Sequence, residues 1–141
     1  MRTGEILGNG LSAENVETAR RLVAAFNDRD VERFLADTHA AAELHSLRAQ
    51  LEGTPYRGHA GIRQMFADFE EDWEYLRVEI HAFRNIESNV VGTGHLHSRG
   101  RASRVDLDVP VAFVWRFREG KAVYAKLFSE EAEALRAAGL D

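Results

Sequence analysis

The sequence contains no cysteine and only two prolines in 141 residues. The absence of cysteine excludes disulfides, thiolate nucleophiles and cysteine metal ligands, and it suits a reducing compartment, so we expect a cytoplasmic protein. No apolar run is long enough to span a bilayer, and Met1–Leu11 lacks the basic and apolar segments of a signal peptide. A formal net charge of −5 does not suggest the positively charged surface that binds nucleic acid. The sequence therefore predicts neither a membrane nor a nucleic-acid partner.

The composition is that of a single globular domain. Hydrophobic residues make up 45% of the 141-residue chain, and we find no low-complexity run or internal repeat. A chain of this length can bury roughly two-thirds of its unfolded surface, which is enough for one core. We therefore predict one domain over residues 1–141, in which Met1–Leu11 forms a lead before the first helix. The sequence leaves open whether that lead is ordered.

The hydrophobic spacing changes from helical to strand-like along the chain. Apolar residues recur at helical spacing in the first half, most clearly from Ile62 to Trp73, and alternate with polar residues after that. Ser12 and Asp30 suit the caps of the first two helices, and Gly139 suits the end of the last. The predicted helices cover 12–27, 31–35, 62–73 and 130–138, and the predicted strands cover 42–47, 76–82, 90–98, 105–117 and 122–128. This order predicts an α+β fold, with helices on one face of an antiparallel sheet.

Three stretches of the sequence resemble one known family. They are ARRLVAAFNDRDVERFLAD, YRGHAGIRQMFADF, and RVDLDVPVAFVWRFREGKAV followed by EEAEALRAAGL. They resemble the SnoaL-like branch of the nuclear-transport-factor-2-like superfamily, which includes ketosteroid isomerase-like and polyketide cyclase-like proteins, and the likeness extends from Asn15 to Leu140. The resemblance implies a cone-shaped, curved antiparallel sheet packed on N-terminal helices, a C-terminal helix, a conical pocket and no cofactor. It also implies a homodimer formed through the outer face of the sheet, at Leu107–Phe117.

The catalytic residues of the known relatives are mostly missing at the matching positions. Steroid isomerases of this fold stabilise an enolate with a tyrosine and a protonated acid, which here fall on Leu22 and Phe113. The carboxylate base of those enzymes falls on His45, and the last-strand acid of the epoxide hydrolases falls near Lys126. The resemblance therefore implies that the oxyanion hole is absent, while a histidine stands at the position of the base.

His45 is the candidate catalytic residue, because an imidazole has a pKa suited to proton transfer near neutral pH. Glu43 lies on the same strand face and is placed to orient it. The alternative is a partly buried histidine bonded to a neighbour, beside a carboxylate at the rim. His95 and His97 also share a strand face and suit a transition metal if His45 or Glu43 supplies a third ligand. Two histidines on the solvent side of a strand need no special explanation, so we predict no metal.

Ligand contacts are predicted at six positions. Aromatic side chains suit a pocket for a flat or aliphatic molecule, and an inward lysine among aromatic residues is a functional clue. Ordinary core packing is the alternative for the two tryptophans, and an edge-facing position is the alternative for the lysine. The predicted ligand-binding residues are Tyr56, Trp73, His95, Phe113, Trp115 and Lys126.

These observations predict a protein that binds a small hydrophobic or aromatic metabolite. The alternative is a cofactor-independent isomerase, cyclase or hydrolase with His45 as general base and Tyr56 or Lys126 stabilising negative charge. A second alternative is a protein-interaction module, which needs exposed apolar sheet surface. Inward-facing His45 and Lys126 favour the enzyme, whereas an apolar cavity lined by aromatic residues favours binding alone.

Overall fold

The computed structural model describes residues 2–139, with side chains from residue 13 onward. Helices come first in the chain, a long run of strands follows, and a short helix closes it. In chain order the elements are α1 (Arg2–Asn27), α2 (Val31–Ala36), β1 (Thr38–His45), α3 (Leu47–Glu52), β2 (Tyr56–Arg57), α4 (Gly58–Asp72), β3 (Trp73–Ile86), β4 (Asn89–Gly100), β5 (Asp106–Arg118), β6 (Lys121–Phe128) and α5 (Glu131–Ala138). None of the described helices has the length and apolar character needed to cross a membrane.

The strands form one curved sheet in the order β2-β1-β6-β5-β4-β3. Strands β3 to β6 make an antiparallel meander, and β1 lies parallel to β6 at its edge. Register shifts on β3, between Ile80 and Ala82, and on β6, between Ala122 and Tyr124, bend these strands, because a bulge increases local twist. The predicted α+β class is confirmed, with one parallel pairing in an otherwise antiparallel sheet.

Both faces of the sheet are covered around the second half of β5, from Val111 onward. The inner face, which carries Leu76, Val78 and Trp115, packs against α1, α2 and α4 in the main core. The outer face, which carries Ala112 and Val114, packs against α5. Alternate residues of a strand point to opposite faces. The covering of both faces therefore explains why β5 is apolar at successive positions from Val111 onward, as in a strand buried on both sides.

The first helix and the first strand begin earlier than predicted. Helix α1 starts at Arg2 rather than at Ser12, so most of the lead segment belongs to it, while Met1 lies outside the described residues. Strand β1 starts at Thr38, where the backbone N–H of Ala122 donates to the carbonyl of Asp37 and draws the chain to β6. The pairing of β1 with β6 sets this boundary, and the local sequence pattern gives no information about that pairing.

Helix α3 was not predicted. The strand was expected to continue to Leu47, but Ser46 caps a helix instead, its Oγ accepting from the backbone N–H of Ala49 at 3.1 Å. Gly53 ends the helix in the left-handed region at φ +78°. A helix of this length has too few turns to leave a clear apolar stripe, which explains why spacing alone missed it.

Candidate functional site

A cavity of about 430 Å³ lies between the inner face of the sheet and helices α1, α2 and α4. Its walls are mainly aliphatic and aromatic side chains, and polar residues stand where α3 and the end of α4 border its mouth. The lining residues are Leu22, Val23, Phe26, Phe34, Leu44, His45, Ser46, Leu47, Arg48, Leu51, Glu52, Met65, Phe69, Asp72, Trp73, Leu76, Val78, Leu96, Ser98, Leu107, Val109, Phe113, Trp115, Ala125, Lys126 and Leu127. A space of this size and character is typical of a site for a small organic ligand.

Aromatic rings form one wall of the cavity. Phe113 and Trp115 alternate on the inner face of β5, and their rings stack with centroids 5.5 Å apart and planes 22° apart. Phe83 supports Trp115 from β3 at a centroid distance of 6.0 Å. Trp73 begins β3 and also lines the cavity, beside the mouth. Three of the six residues predicted to bind a ligand, Trp73, Phe113 and Trp115, therefore lie together around this space.

Charged side chains at the mouth of the cavity form ion pairs with one another. Arg48 of α3 donates to Asp72 of α4 at 2.8 Å (Nη1 to Oδ2) and to Glu52 at 3.2 Å (Nε to Oε2). Leu47 and Leu51 on the same helix border the cavity and are 55% and 80% exposed. The mouth thus combines exposed apolar surface with an arginine whose charge is already balanced by carboxylates.

The imidazole of His45 points away from the cavity, although the residue borders the mouth. Leu44 and Ala125 belong to the inner core, whereas the His45 ring lies 5.2 Å from the ring of Tyr124, which packs on the outer face with α5. The Nε2 atom of His45 lies 3.3 Å from Glu43 Oε1. The predicted pairing of these two side chains is present, and the imidazole is directed to the outer face rather than into the cavity.

Lys126 and His95 also lie on the outer face. The Lys126 Nζ sits 5.1 Å from the ring centre of Phe128, which packs with α5. His95 Nδ1 lies 2.7 Å from Asp108 Oδ1, on the strand face opposite Leu96. Both residues were predicted to contact the ligand. The alternation of each strand turns the His95 ring and the Lys126 ammonium away from the cavity, although Lys126 is among the residues that border it. Within the described residues no group of three or more histidine, aspartate or glutamate side chains is arranged to hold a metal ion.

Tyr56 belongs to a polar cluster behind the cavity wall and does not line the cavity. Its hydroxyl donates to Asp68 Oδ2 at 2.6 Å, and Gln64 Nε2 donates to Asp68 Oδ1 at 2.8 Å. Burial and the hydrogen bond to Asp68 raise the pKa of Tyr56. The hydrogen bond from Tyr56, with smaller contributions from Gln64 and the charge of Arg48, lowers the pKa of the buried Asp68. This cluster ties β2 to α4 and stabilises the frame of the mouth.

Asp68→Asn is expected to destabilise the fold by about 1–3 kcal/mol at pH 7, because the donors of Tyr56 and Gln64 lose a charged acceptor. Since the pKa of Asp68 is lowered on folding, its stabilising effect is present above the unfolded value, near pH 4, and is lost as the pH falls through the folded value. Urea unfolding at pH 7 and pH 3 should show the difference between variant and parent shrinking in acid. Asp28→Asn, at an exposed carboxylate, should cost less than about 0.5 kcal/mol. Equal losses in the two variants would contradict the buried role of Asp68.

Two features of the site were missed in the sequence. Arg48 was not recognised as a site residue because helix α3, on which it lies, was not predicted. Ser98 is inside the predicted strand 90–98 and shares the inner face with Leu96, so a small hydroxyl residue on an apolar stripe was the available signal. That signal is weak, since serine on a strand is usually explained by an exposed face.

A curved sheet closed by helices around an apolar cavity defines the nuclear-transport-factor-2-like class of α+β protein, and the sequence comparison agrees with it. The sequence model of the SnoaL-like domain matches residues 19–125, and the chain belongs to that family. Among curated proteins, none matches this chain in sequence.

Solved structures share the fold at low identity. TerC, co-crystallised with polyporic acid, is 23% identical with a TM-score of 0.73, over 85% of this chain and 94% of that one. A nuclear-transport-factor-2-like protein of unknown function from Burkholderia pseudomallei is 20% identical with a TM-score of 0.74, over 89% and 98%. A protein with a ketosteroid isomerase-like fold from Catenulispora acidiphila, in complex with trimethylamine, is 16% identical with a TM-score of 0.71, over 89% and 94%. At these identities the likeness concerns the fold alone.

Proposed function

We propose that this SnoaL-like protein binds a small hydrophobic or aromatic metabolite in its cavity. The observation that carries the proposal is the volume of about 430 Å³ enclosed by Trp73, Phe113 and Trp115 together with aliphatic side chains. Ligand pockets typically have volumes of about 300–1,000 Å³ and mostly apolar walls with a few polar groups. Transfer of an apolar ligand from water to such walls is favourable by roughly 25 cal/mol per Å² of buried apolar surface.

The charges at the site favour a ligand with an uncharged body. Apart from Lys126, whose ammonium lies on the outer face, the charged residues that border the cavity stand at its mouth, where Arg48 is paired with Glu52 and Asp72. A charge buried without a partner is costly, so an apolar interior selects against it. The complexes of TerC and of the Catenulispora protein, each with a small organic molecule, support the use of this fold as a ligand container.

Ligand binding without catalysis has more support than a proton-transfer reaction. The predicted base, His45, pairs with Glu43, and the two residues predicted to stabilise negative charge, Tyr56 and Lys126, lie behind the wall and on the outer face. These groups do not converge on a point inside the cavity, as a general acid–base mechanism requires.

Tryptophan fluorescence provides the test, because both tryptophans of the chain line the cavity. Titration with N-phenylnaphthylamine, a neutral hydrophobic dye, should quench tryptophan emission and enhance dye emission with saturation at one dye per protein. Trp73→Phe and Trp115→Phe should each retain part of the quenching, since the remaining indole still lies beside the dye. Absence of a saturable change in either signal would refute the proposal.

A further inference from the structure

Ser98 is a buried hydroxyl that faces the cavity without a protein partner among the described residues. It is only 2% exposed and lines the cavity from the inner face of β4, between its register partners Leu76 and Leu107. The two buried threonines behave differently. Thr18 Oγ1 donates to the carbonyl of Glu14 at 3.0 Å, and Thr38 Oγ1 donates to the carbonyl of Phe34 at 2.7 Å.

The strand explains why Ser98 has no such partner. The carbonyls that accept from Thr18 and Thr38 lie four residues earlier in a helix. The backbone of β4 is paired with β3 and β5 on both sides, so its carbonyls point along the sheet, while the Ser98 side chain stands on the inner face. Its flanking side chains are aliphatic. A buried hydroxyl in this position gains a hydrogen bond only from a molecule that enters the cavity.

An aromatic surface lies beside this hydroxyl. Trp73 is the register partner of Gly100, the next inward position on β4 after Ser98. A Cβ atom at Gly100 would lie 2.8 Å from Ser103 Oγ and 3.8 Å from the Trp73 ring. Trp73 lines the cavity at this end of the inner face, whereas Ser103 is not among the lining residues. The cavity therefore presents one hydrogen-bonding group next to one broad aromatic side chain at the same end.

We propose that Ser98 is the polar anchor of the ligand site, and that the ligand is a neutral aromatic or alicyclic molecule carrying a hydroxyl or carbonyl group. This inference rests on the proposed binding function and specifies its ligand class. The Ser98 hydroxyl both donates and accepts, so it serves either group. A carboxylate ligand is selected against, because the mouth arginine Arg48 is already bound by Glu52 and Asp72.

Competition against N-phenylnaphthylamine tests the anchor. Naphthol, naphthalene and naphthoate share a ring system and differ in the group that they offer to Ser98. In the parent protein naphthol should bind more tightly than naphthalene by roughly 3- to 10-fold, the value of one buried hydrogen bond, and naphthoate should bind more weakly than naphthol. Ser98→Ala should abolish the preference for naphthol over naphthalene, with each competitor's affinity calculated from the dye affinity measured for the same variant. Ser88→Ala, at an exposed turn position between β3 and β4, is the matched control and should keep the preference.

Thermal unfolding without ligand separates an anchor from a structural hydroxyl. Because Ser98 bonds no described protein group, Ser98→Ala should melt at the same temperature as the parent protein or higher. A lower melting temperature, a retained preference for naphthol in Ser98→Ala, or tighter binding of naphthoate than of naphthol would overturn the anchor while leaving the binding function intact. Failure of the dye to bind the parent protein would overturn both.

Discussion

Gly94→Ala is expected to prevent folding at ordinary temperatures or to lower the free energy of unfolding by roughly 4 kcal/mol or more, a loss at the upper end for single substitutions. A Cβ atom at this position would lie 1.8 Å from the backbone carbonyl oxygen of Glu79 and 2.8 Å from the Cα of Ile80. These are backbone atoms of the neighbouring strand, so no side-chain rotation relieves the clash. Circular dichroism and urea unfolding of the purified variant would measure the effect.

Gly120→Ala is the matched control for this prediction. Gly120 has φ +78° in the turn between β5 and β6, and a Cβ atom there would meet nothing within 4 Å. Its cost should be about 1–2 kcal/mol, from the left-handed backbone alone. Comparable losses at the two glycines would show that the close approach of β3 to Gly94 does not govern stability.

The contact at Gly94 also bears on the cavity. It lies beside the register shift between Ile80 and Ala82, after which Phe83 returns to the inner face and packs against Trp115. Without the shift, strict alternation would place Phe83 on the outer face. The same irregularity that excludes a side chain at Gly94 therefore supports the aromatic wall.

The sequence predicted the elements more reliably than it predicted the direction of side chains. The apolar stripe from Ile62 gave helix α4, and the alternation after Trp73 gave β3, because each pattern reflects a buried face. Alternation does not say which of two faces encloses a cavity. In β6 the aromatic residues Tyr124 and Phe128 suggested an inward face, but they pack under α5. Lys126 lies between the inward-facing Ala125 and Leu127, so its side chain points to the outer face together with those of Tyr124 and Phe128.

The same limit applies to His45 and to the predicted dimer. His45 lies one position after the inward Leu44, so a shift of one residue in the family alignment changes its predicted direction. The homodimer through the outer face stays a prediction. There α5 covers Ala112 and Val114, so the part of β5 not under this helix, including Asp108 beside His95, is where such pairing would be sought.

Ala125→Phe is expected to abolish binding of N-phenylnaphthylamine while leaving the fold intact. Ala125 lines the cavity from β6, and an added ring would occupy space that the proposed ligand needs. The ring enters a space of about 430 Å³, so the loss of stability should stay below about 1–3 kcal/mol, the usual cost of overpacking a filled core. Dye fluorescence and thermal unfolding measure the two effects separately. Ala41→Phe, at an exposed position of β1, should bind the dye as the parent protein does. Unchanged affinity in a folded Ala125→Phe variant would place the dye outside this cavity, because the added ring projects from the wall into the space that the dye would occupy.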